Sequence, residues 1–241
     1  TEGRGRRRAG GPWISRASVV QILRDREMLP AIDFIFSRAG CDEAAAEVAG
    51  AGIPLTNASE RAQIREHAER AIETIPAEDH GALGLSTWVE NLESGVAAHH
   101  AGLLPVLKET VEQLFASGLL KVVFATETLA LGINMPARTV VLESLEKWDG
   151  TELVQLGPRE YTQLTGRAGR RGIDVEGNAV VLDRKQVTPQ EVAELASKRS
   201  YPLKSAFFPS YNTAVNLLAR SDMAKARQVL ESSFAQFQAD E

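Results

Sequence analysis

Short apolar strand segments that alternate with helical segments constrain the fold of this chain more than any other feature of its sequence. Each strand segment is a continuous apolar run of strand length, which is typical of a strand buried on both faces. Helical segments separate these runs, as the crossovers between parallel strands require. The sequence therefore predicts an α/β fold with a parallel sheet and helices on both of its faces. The predicted strands are 31–36, 121–125, 139–142 and 178–182, together with one that starts at Gly95.

Helix signals lie between and after these strands. Apolar residues at helical spacing predict a helix over 15–28, which Pro30 ends, and a charged surface helix over 59–75. Pro105 is expected in the first turn of a helix that finishes before Gly118. Farther along, Thr188 to Glu191 has the pattern of a capping box, and Ser221-Asp222 can begin another helix.

Composition excludes a membrane-spanning or disulfide-rich protein. With 44% hydrophobic residues, the 241 residues can fill the core of one large domain. No apolar run approaches the roughly 20 residues that span a bilayer, and the single Cys41 leaves no internal disulfide and no zinc cluster. We therefore expect a cytoplasmic protein with no membrane partner and no metal ligands. The net charge of −5 argues against bulk affinity for nucleic acid, but it permits a local basic groove.

The segment from Gln163 to Gly172 carries two arginines, Arg167 and Arg170, three residues apart and next to glycine and alanine. On one helical turn they would point to the same side. The small neighbours would let another surface approach the guanidinium groups, whose planar fork matches phosphate. This pattern favours an arginine finger. A solvated basic helix face is the alternative that this segment alone leaves open.

Polar residues follow several of the predicted strands directly. Ser37-Arg38, His99-His100 and Thr126-Glu127-Thr128 each come at the end of a strand segment. Ligands of parallel sheets bind outside the carboxyl ends of the strands. We expect these loops and the Gln163 helix to line one edge of the sheet and to form one extended surface for an anionic ligand.

Four segments in this order resemble motifs IV, IVa, V and VI of superfamily-two helicases. The combination is most similar to the superkiller and Mtr-type DExH RNA helicases, and within them to the actinobacterial members. Further similarity lies at 147–150, 205–212 and 236–238, so the resemblance covers nearly the whole chain beyond the first dozen residues. The four motif segments are 36–38, 99–105, 125–137 and 163–172.

The resemblance implies a domain order. Residues 1–29 are expected to be an interdomain linker and a lead-in helix, although the Arg- and Gly-rich first 12 residues leave a nucleic-acid-binding arm as an alternative. Residues 30–185 would be the second RecA-like lobe of the motor, the helicase C-terminal domain. Residues 186–241 would be a connector and the helical beginning of a winged-helix domain.

The chain contains no G-x-x-x-x-G-K-[ST] phosphate loop and no strand that ends in a DExH-type acidic pair. We therefore expect half of a motor, whose N-terminal RecA-like lobe lies outside this sequence in the same polypeptide. That lobe would hold most of the ATP and Mg²⁺ contacts. The present chain alone would not hydrolyse ATP.

The resemblance also implies residue roles. Arg167 and Arg170 would be catalytic arginine fingers that reach the phosphates of ATP, and Gln163 and Gly132 would complete this ATP-binding set. A second set would hold the backbone of single-stranded RNA or DNA without reading its sequence. This nucleic-acid-binding set is Ser37, Arg38, His100, Gly102 and Thr126.

Several alternatives stay open at the level of sequence. Arg171 is either a third functional arginine or a structural ion-pair partner, and Trp148 is expected to pack after the third strand rather than to stack on a base. RNA and DNA are not distinguished, because backbone contacts do not report on the 2′-hydroxyl. The second candidate function is a module that binds nucleic acid or a protein partner and has no motor activity.

Overall fold

Secondary structure along the chain follows the alternation that the sequence predicts. The computed structural model describes residues 14–130, 134–148, 150–183, 187–197, 210–233 and 236. The chain divides into two compact units, Thr1–Lys198 and Arg199–Glu241. The Arg- and Gly-rich segment 1–12 and the connector 201–209 lie outside the described residues, so the predictions made for them stay predictions.

Helices and strands alternate along most of the chain, and short 3₁₀ turns at Ala77–Asp79 and Glu127–Ala130 supplement them. In chain order, the elements are α1 (Arg16–Asp25), β1 (Ala31–Phe34), α2 (Arg38–Gly50), α3 (Ala58–Ile72), α4 (Leu85–Glu93), β2 (Val96–His99), α5 (Pro105–Ala116), β3 (Val122–Ala125), β4 (Thr139–Leu142), β5 (Glu146–Trp148), β6 (Leu153–Gln155), α6 (Pro158–Thr165), β7 (Asn178–Val181), α7 (Pro189–Ser197), α8 (Tyr211–Arg220) and α9 (Met223–Glu231).

A five-stranded parallel sheet organises the first unit. Its strand order is β2-β3-β1-β4-β7, and every neighbouring pair is parallel. In the central strand, Ala31 lies opposite Val122 on one side and Thr139 on the other. The predicted α/β class with a parallel sheet is confirmed.

Alternate residues of the strands face two separate cores, which is why the strands read as continuous apolar runs. Ile32 and Phe34 of β1 face the core that α3, α4, α5 and α6 cover, together with Val123 of β3. The other face packs Phe124 against α2, whose buried residues include Cys41. Helices therefore cover both faces of the sheet, as predicted.

The ends of the helices follow ordinary capping chemistry. Ser15 Oγ accepts a hydrogen bond from Ser18 N at the start of α1, and Pro105 occupies the first turn of α5. The predicted capping box before α7 is present, since Thr188 N donates to Glu191 Oε2 at 2.7 Å. Val192 and Leu195 of α7 pack against the larger core of the first unit.

The second unit contains two described helices, α8 and α9. Asp222 caps α9, with its carboxylate accepting from Lys225 N at 2.8 Å, as the Ser221-Asp222 pattern predicts. The assignment of this unit to a winged-helix domain, and the boundary after residue 185, stay predictions. Within the described part of the chain, no helix combines the length and the apolar character that crossing a bilayer requires.

Candidate nucleotide and nucleic-acid sites

A cavity of about 200 Å³ lies at the carboxyl edge of the sheet, where β1, β2 and β3 end. It brings together the loops that follow these three strands, as the sequence predicts for parallel strands. We call this cavity the edge groove. Its lining residues are Phe36, Ser37, Arg38, Ala101, Thr126, Glu127, Thr128 and Trp148.

Ser37 and Arg38 enter the edge groove from the start of α2. Ser37 Oγ accepts from Gly40 N at 3.2 Å and so caps the helix, while its hydroxyl proton stays available to a ligand. Arg38 is exposed and has no ion-pair partner among the described residues. The helix N-terminus, the hydroxyl and the guanidinium together favour an anion at this end of the groove.

Thr126 closes the groove from the end of β3. Its side chain is 9% exposed, and its hydroxyl shares a hydrogen bond of 2.9 Å with the hydroxyl of Thr128. Thr126 and Thr128 are thus fixed relative to each other at the first turn after the strand.

His100 and Gly102 form a fixed turn beside the groove. Gly102 N donates to His100 Nδ1 at 3.1 Å, which places the ring proton on Nε2, and Nε2 donates to Asp42 Oδ1 at 3.0 Å. A Cβ at residue 102 would lie 3.0 Å from His100 Nδ1 and 3.5 Å from Arg38 Cδ. Both ring nitrogens of His100 and the N–H of Gly102 therefore have partners within the chain.

His99, the residue before this turn, is also paired with a carboxylate. Its Nε2 lies 2.8 Å from Glu112 Oε1, and burial lowers the pKa of the imidazole although Glu112 opposes the shift. No three side chains of His, Cys, Asp or Glu cluster at metal-binding distance within the described residues.

Trp148 does not pack against the fold, so the expectation of a packing role is wrong. It is 59% exposed and lines the edge groove. Trp148 ends β5, which pairs with β6 in an antiparallel hairpin where Trp148 lies opposite Leu153. No residue of the two three-residue strands of this hairpin is buried, and their sequences lack the apolar run that predicts the other strands.

A smaller cavity of about 110 Å³ lies next to the groove and contains Gln163. Glu127 lines both cavities. In the wall of the smaller cavity, Lys147 Nζ lies 2.5 Å from Glu160 Oε1 of α6 and 3.3 Å from Glu127 Oε2. Burial alone would lower the pKa of Lys147, but the two carboxylates outweigh it and the pKa is raised. Lys147 therefore ties the hairpin to α6 and to the turn after β3.

The two arginines do not share a helical turn, so that part of the sequence interpretation is wrong. Helix α6 ends at Thr165, and Gly169 has a φ of +89°, a left-handed conformation that glycine adopts without strain. We call residues 166–177 the arginine segment. It continues as a strand-like bridge, in which Ala137 N donates to Arg167 O at 2.9 Å and Gly169 N donates to Ala137 O at 2.7 Å.

Arg167 reaches back from this bridge toward the loop after β3. Its Nη2 donates to the carbonyl of Ala130 at 2.5 Å. Ala130 closely precedes the predicted ATP-binding Gly132, which itself lies outside the described residues. The guanidinium of Arg167 is therefore held at the end of the 3₁₀ turn Glu127–Ala130.

Arg170 forms a closed ion pair with Asp174. Arg170 Nε donates to Oδ2 and Nη2 donates to Oδ1, each at 2.8 Å, and Arg170 N also donates to Oδ2 at 2.9 Å. These hydrogen bonds lower the pKa of Asp174 to about 2 and raise the pKa of Arg170. Neighbouring Arg171 is exposed and makes no salt bridge within the described ranges.

The arginine segment does not lie with the other loops at the carboxyl edge. Ala137, its bridge partner, comes two residues before β4, and Asn178 N donates to Arg138 O at 3.0 Å where β7 begins. The reason is topological, because a segment that leads into a parallel strand must return to the amino end of the sheet. The predicted single edge is thus an edge groove plus a separate arginine segment, which follows α6 in the chain.

Comparison with known proteins shows which proteins this chain resembles. Residues 64–172 match the family described as the helicase conserved C-terminal domain. Over 98% of its length the chain is 53% identical to the probable helicase HelY of Mycobacterium tuberculosis. It is 39% identical to the human Superkiller complex protein 2 over 95% of its length, and 39% identical to the yeast antiviral helicase SKI2 over 90%.

Over nearly its whole length, the chain is similar to one part of the superkiller-type DExH helicases. It resembles their second RecA-like lobe, and the greater identity to HelY agrees with an actinobacterial member. The chain spans 26% of the length of HelY and 18% of the length of the human relative.

Sequence reasoning missed two residues of this DExH lobe that hold the arginine segment in place. Asp174 pairs with Arg170, and its carboxylate four residues after an arginine was the available signal. Gly177 packs on the backbone between the two arginines, where a Cβ would lie 2.5 Å from Ala168 C and from Gly169 N. The contact of Gly177 with Ala168 and Gly169 is made by the tertiary fold, so no local sequence pattern around Gly177 predicts it.

We expect Gly177→Ala to destabilise the lobe by about 1–3 kcal/mol, because the new methyl group would overlap main-chain atoms that cannot move independently. Urea unfolding of the chain measures this change. Gly81→Ala is the matched control, since a Cβ at Gly81 meets no atom within 4 Å. Equal stabilities for the two variants would contradict the close packing at Gly177.

Proposed function

We propose that this lobe is the C-terminal half of an ATP-dependent helicase motor, which completes an ATP site with Arg167 and Arg170 and holds single-stranded RNA or DNA in the edge groove. The edge groove is lined by hydroxyl groups and by the guanidinium of Arg38, which is unpaired among the described residues, with Glu127 as its acidic residue. At a separate place, the Ala137 bridge fixes the main chain that carries Arg167 and Arg170. A motor lobe requires both surfaces, one for the nucleic acid and one for the nucleotide.

The chemistry of the arginine segment fits a polyphosphate. Guanidinium forks bind phosphate oxygens in a bidentate manner and stay charged at every accessible pH. Gln163 is exposed on α6 and lines the small cavity together with Ala130, whose carbonyl accepts from Arg167. Arg167 and Arg170 would stabilise the charge that develops on the β- and γ-phosphates, and Gln163 and Gly132 would orient the nucleotide.

The described residues of this lobe contain no group of three or more His, Cys, Asp or Glu side chains that could hold a metal ion. In nucleotide sites, Mg²⁺ is usually held by one or two carboxylates together with the phosphates. The metal and the phosphate loop would belong to the N-terminal RecA-like lobe of the same polypeptide, and the isolated chain would not hydrolyse ATP.

The edge groove fits the backbone of a single strand. Ser37 would contact a phosphate through its hydroxyl and Arg38 through its guanidinium. Thr126 would contact the same stretch of the nucleic-acid backbone, and none of these contacts depends on the base sequence. Trp148 adds an exposed indole on which a base can stack. His100 and Gly102, whose polar groups have partners in the chain, would shape the loop next to Arg38.

Closure of the two lobes on ATP and reopening after hydrolysis would move the groove relative to the other lobe and so step the nucleic acid. The alternative, a binding module without motor activity, would keep the groove and gain nothing from the arginines. Replacing Arg170 distinguishes these two functions. ATP turnover by the full-length polypeptide would fall if this lobe is part of a motor, and it would not change if the lobe only binds nucleic acid or a partner.

We expect Arg170→Ala in the full-length polypeptide to reduce nucleic-acid-stimulated ATP turnover by about 10³- to 10⁵-fold, the usual contribution of an arginine finger. Arg170→Lys should rescue little, because an ammonium group lacks the planar fork. Steady-state phosphate release measures both variants. Arg159→Ala, an exposed arginine of α6, is the control and should keep wild-type turnover. Undiminished turnover in Arg170→Ala would refute the finger.

We expect Arg38→Ala and Trp148→Ala to weaken binding of a fluorescent single-stranded oligonucleotide by the chain in different ways. Loss of one phosphate contact should reduce the slope of log K against log salt by about 0.7 in Arg38→Ala. Loss of one stacked base should cost about 1–3 kcal/mol in Trp148→Ala and leave this slope unchanged.

Arg70→Ala is the control for this titration, since Arg70 is an exposed arginine of α3 outside the groove. It should bind like the wild type. If Arg38→Ala behaved like Arg70→Ala, the edge groove would not be the nucleic-acid site.

A further inference from the structure

Asp174 lies against Arg170 with a geometry that leaves part of the guanidinium available. The carboxylate takes the edge formed by Nε and Nη2. A guanidinium has five donors, so Nη1 and the second hydrogen of Nη2 form another edge of the fork. Within the described part of the chain, Nη1 has no acceptor. The ion pair therefore orients Arg170 without blocking its second edge.

The carboxylate is itself rigidly placed. The side chain of Asp174 is 5% exposed, whereas that of Arg170 is 25% exposed. Main-chain hydrogen bonds close the turn from Arg170 to Asp174. The carbonyl of Arg170 accepts from Ile173 N at 3.0 Å and from Asp174 N at 2.9 Å. Arg170 N in turn donates a hydrogen bond to Asp174 Oδ2, so the main chain of each residue is hydrogen-bonded to the other residue.

A fixed carboxylate matters because a free arginine side chain samples many rotamers. Immobilising such a side chain costs about 0.5–1.5 kcal/mol at the moment of binding. A partner that holds the guanidinium beforehand removes that cost from the reaction step, and a misplacement of about 1 Å at a reacting centre can cost ~10²-fold in rate. Asp174 supplies such a partner from the turn that immediately follows Arg170.

We propose that Asp174 is a positioning residue, which holds the Nε–Nη2 edge of Arg170 so that its other edge faces the phosphates of ATP. The proposal rests on the proposed function of Arg170 as a finger. Because the pKa of Asp174 is about 2, its carboxylate stays charged at every pH used in an ATPase assay. Replacing it by the neutral amide of asparagine therefore removes a charge at every one of these pH values.

The test uses the full-length polypeptide with Asp174→Asn, Arg170→Ala and the double variant. Asp174→Asn keeps the size of the side chain but loses the charge and one acceptor oxygen. We expect kcat to fall by about 10- to 100-fold while KM for ATP changes by about twofold or less, since the arginine acts in the transition state. In the Arg170→Ala background, Asp174→Asn should cause no further loss of kcat.

Two controls keep a structural effect apart from a positioning effect. Glu93→Gln breaks the Arg65–Glu93 ion pair, a 2.6 Å contact between α3 and α4, and should leave kcat unchanged. Asp174→Glu keeps the charge but displaces it by one methylene, so it should retain the wild-type melting temperature and still lower kcat. This variant decides the matter if Asp174→Asn does not fold.

The outcomes distinguish this inference from the proposed function. If Arg170→Ala abolishes turnover while Asp174→Asn and Asp174→Glu keep wild-type kcat, the positioning role fails and the finger stands. A rise of kcat in Asp174→Asn would also overturn the inference, because it would mean that Asp174 sequesters Arg170. If Arg170→Ala itself turns over normally, the proposed function fails first.

Discussion

Two main-chain hydrogen bonds join Ala137 to the arginine segment, and the placement of both arginines depends on them. They form an isolated parallel bridge between Ala137 and Ala168, two residues before β4 begins. Gly177 packs onto the same backbone from the other side, where a Cβ has no room. With the main chain held at both faces, Arg167 extends toward Ala130 and Arg170 pairs with Asp174. The two side chains are thus held both by their own hydrogen bonds and by those of the main chain that carries them.

The edge groove and the arginine segment lie at different places on the sheet, and α6 leads into the arginine segment. The edge groove lies where β1, β2 and β3 end, and the arginine segment leads back to the start of β7. Lys147 joins the hairpin, the turn after β3 and α6 through its pairs with Glu127 and Glu160. These are partly buried pairs on one cation, an arrangement that holds elements in register better than isolated surface pairs do.

The sequence predicted the sheet well because its strands are buried on both faces and read as apolar runs between helices. It also predicted the convergence of Ser37, Arg38 and Thr126, since residues after parallel strands share an edge. The sequence-based prediction is wrong where the local residue spacing and the topology of the sheet disagree. Arg167 and Arg170 sit at helical spacing, yet α6 ends before them because the chain must turn back toward β7. The exposure of Trp148 and the packing of Gly177 depend on tertiary contacts, which no local pattern encodes.

We propose that Arg167 and Arg170 complete an ATP site whose other half lies in the preceding lobe of the polypeptide. A crystal structure of the full-length protein with single-stranded RNA and ADP–aluminium fluoride, a mimic of phosphoryl transfer, would show this site in its closed state. We expect guanidinium nitrogens of both arginines within about 3.2 Å of the phosphate or fluoride atoms. Both guanidinium groups turned away from the nucleotide, beyond direct hydrogen-bond distance in the closed state, would contradict it.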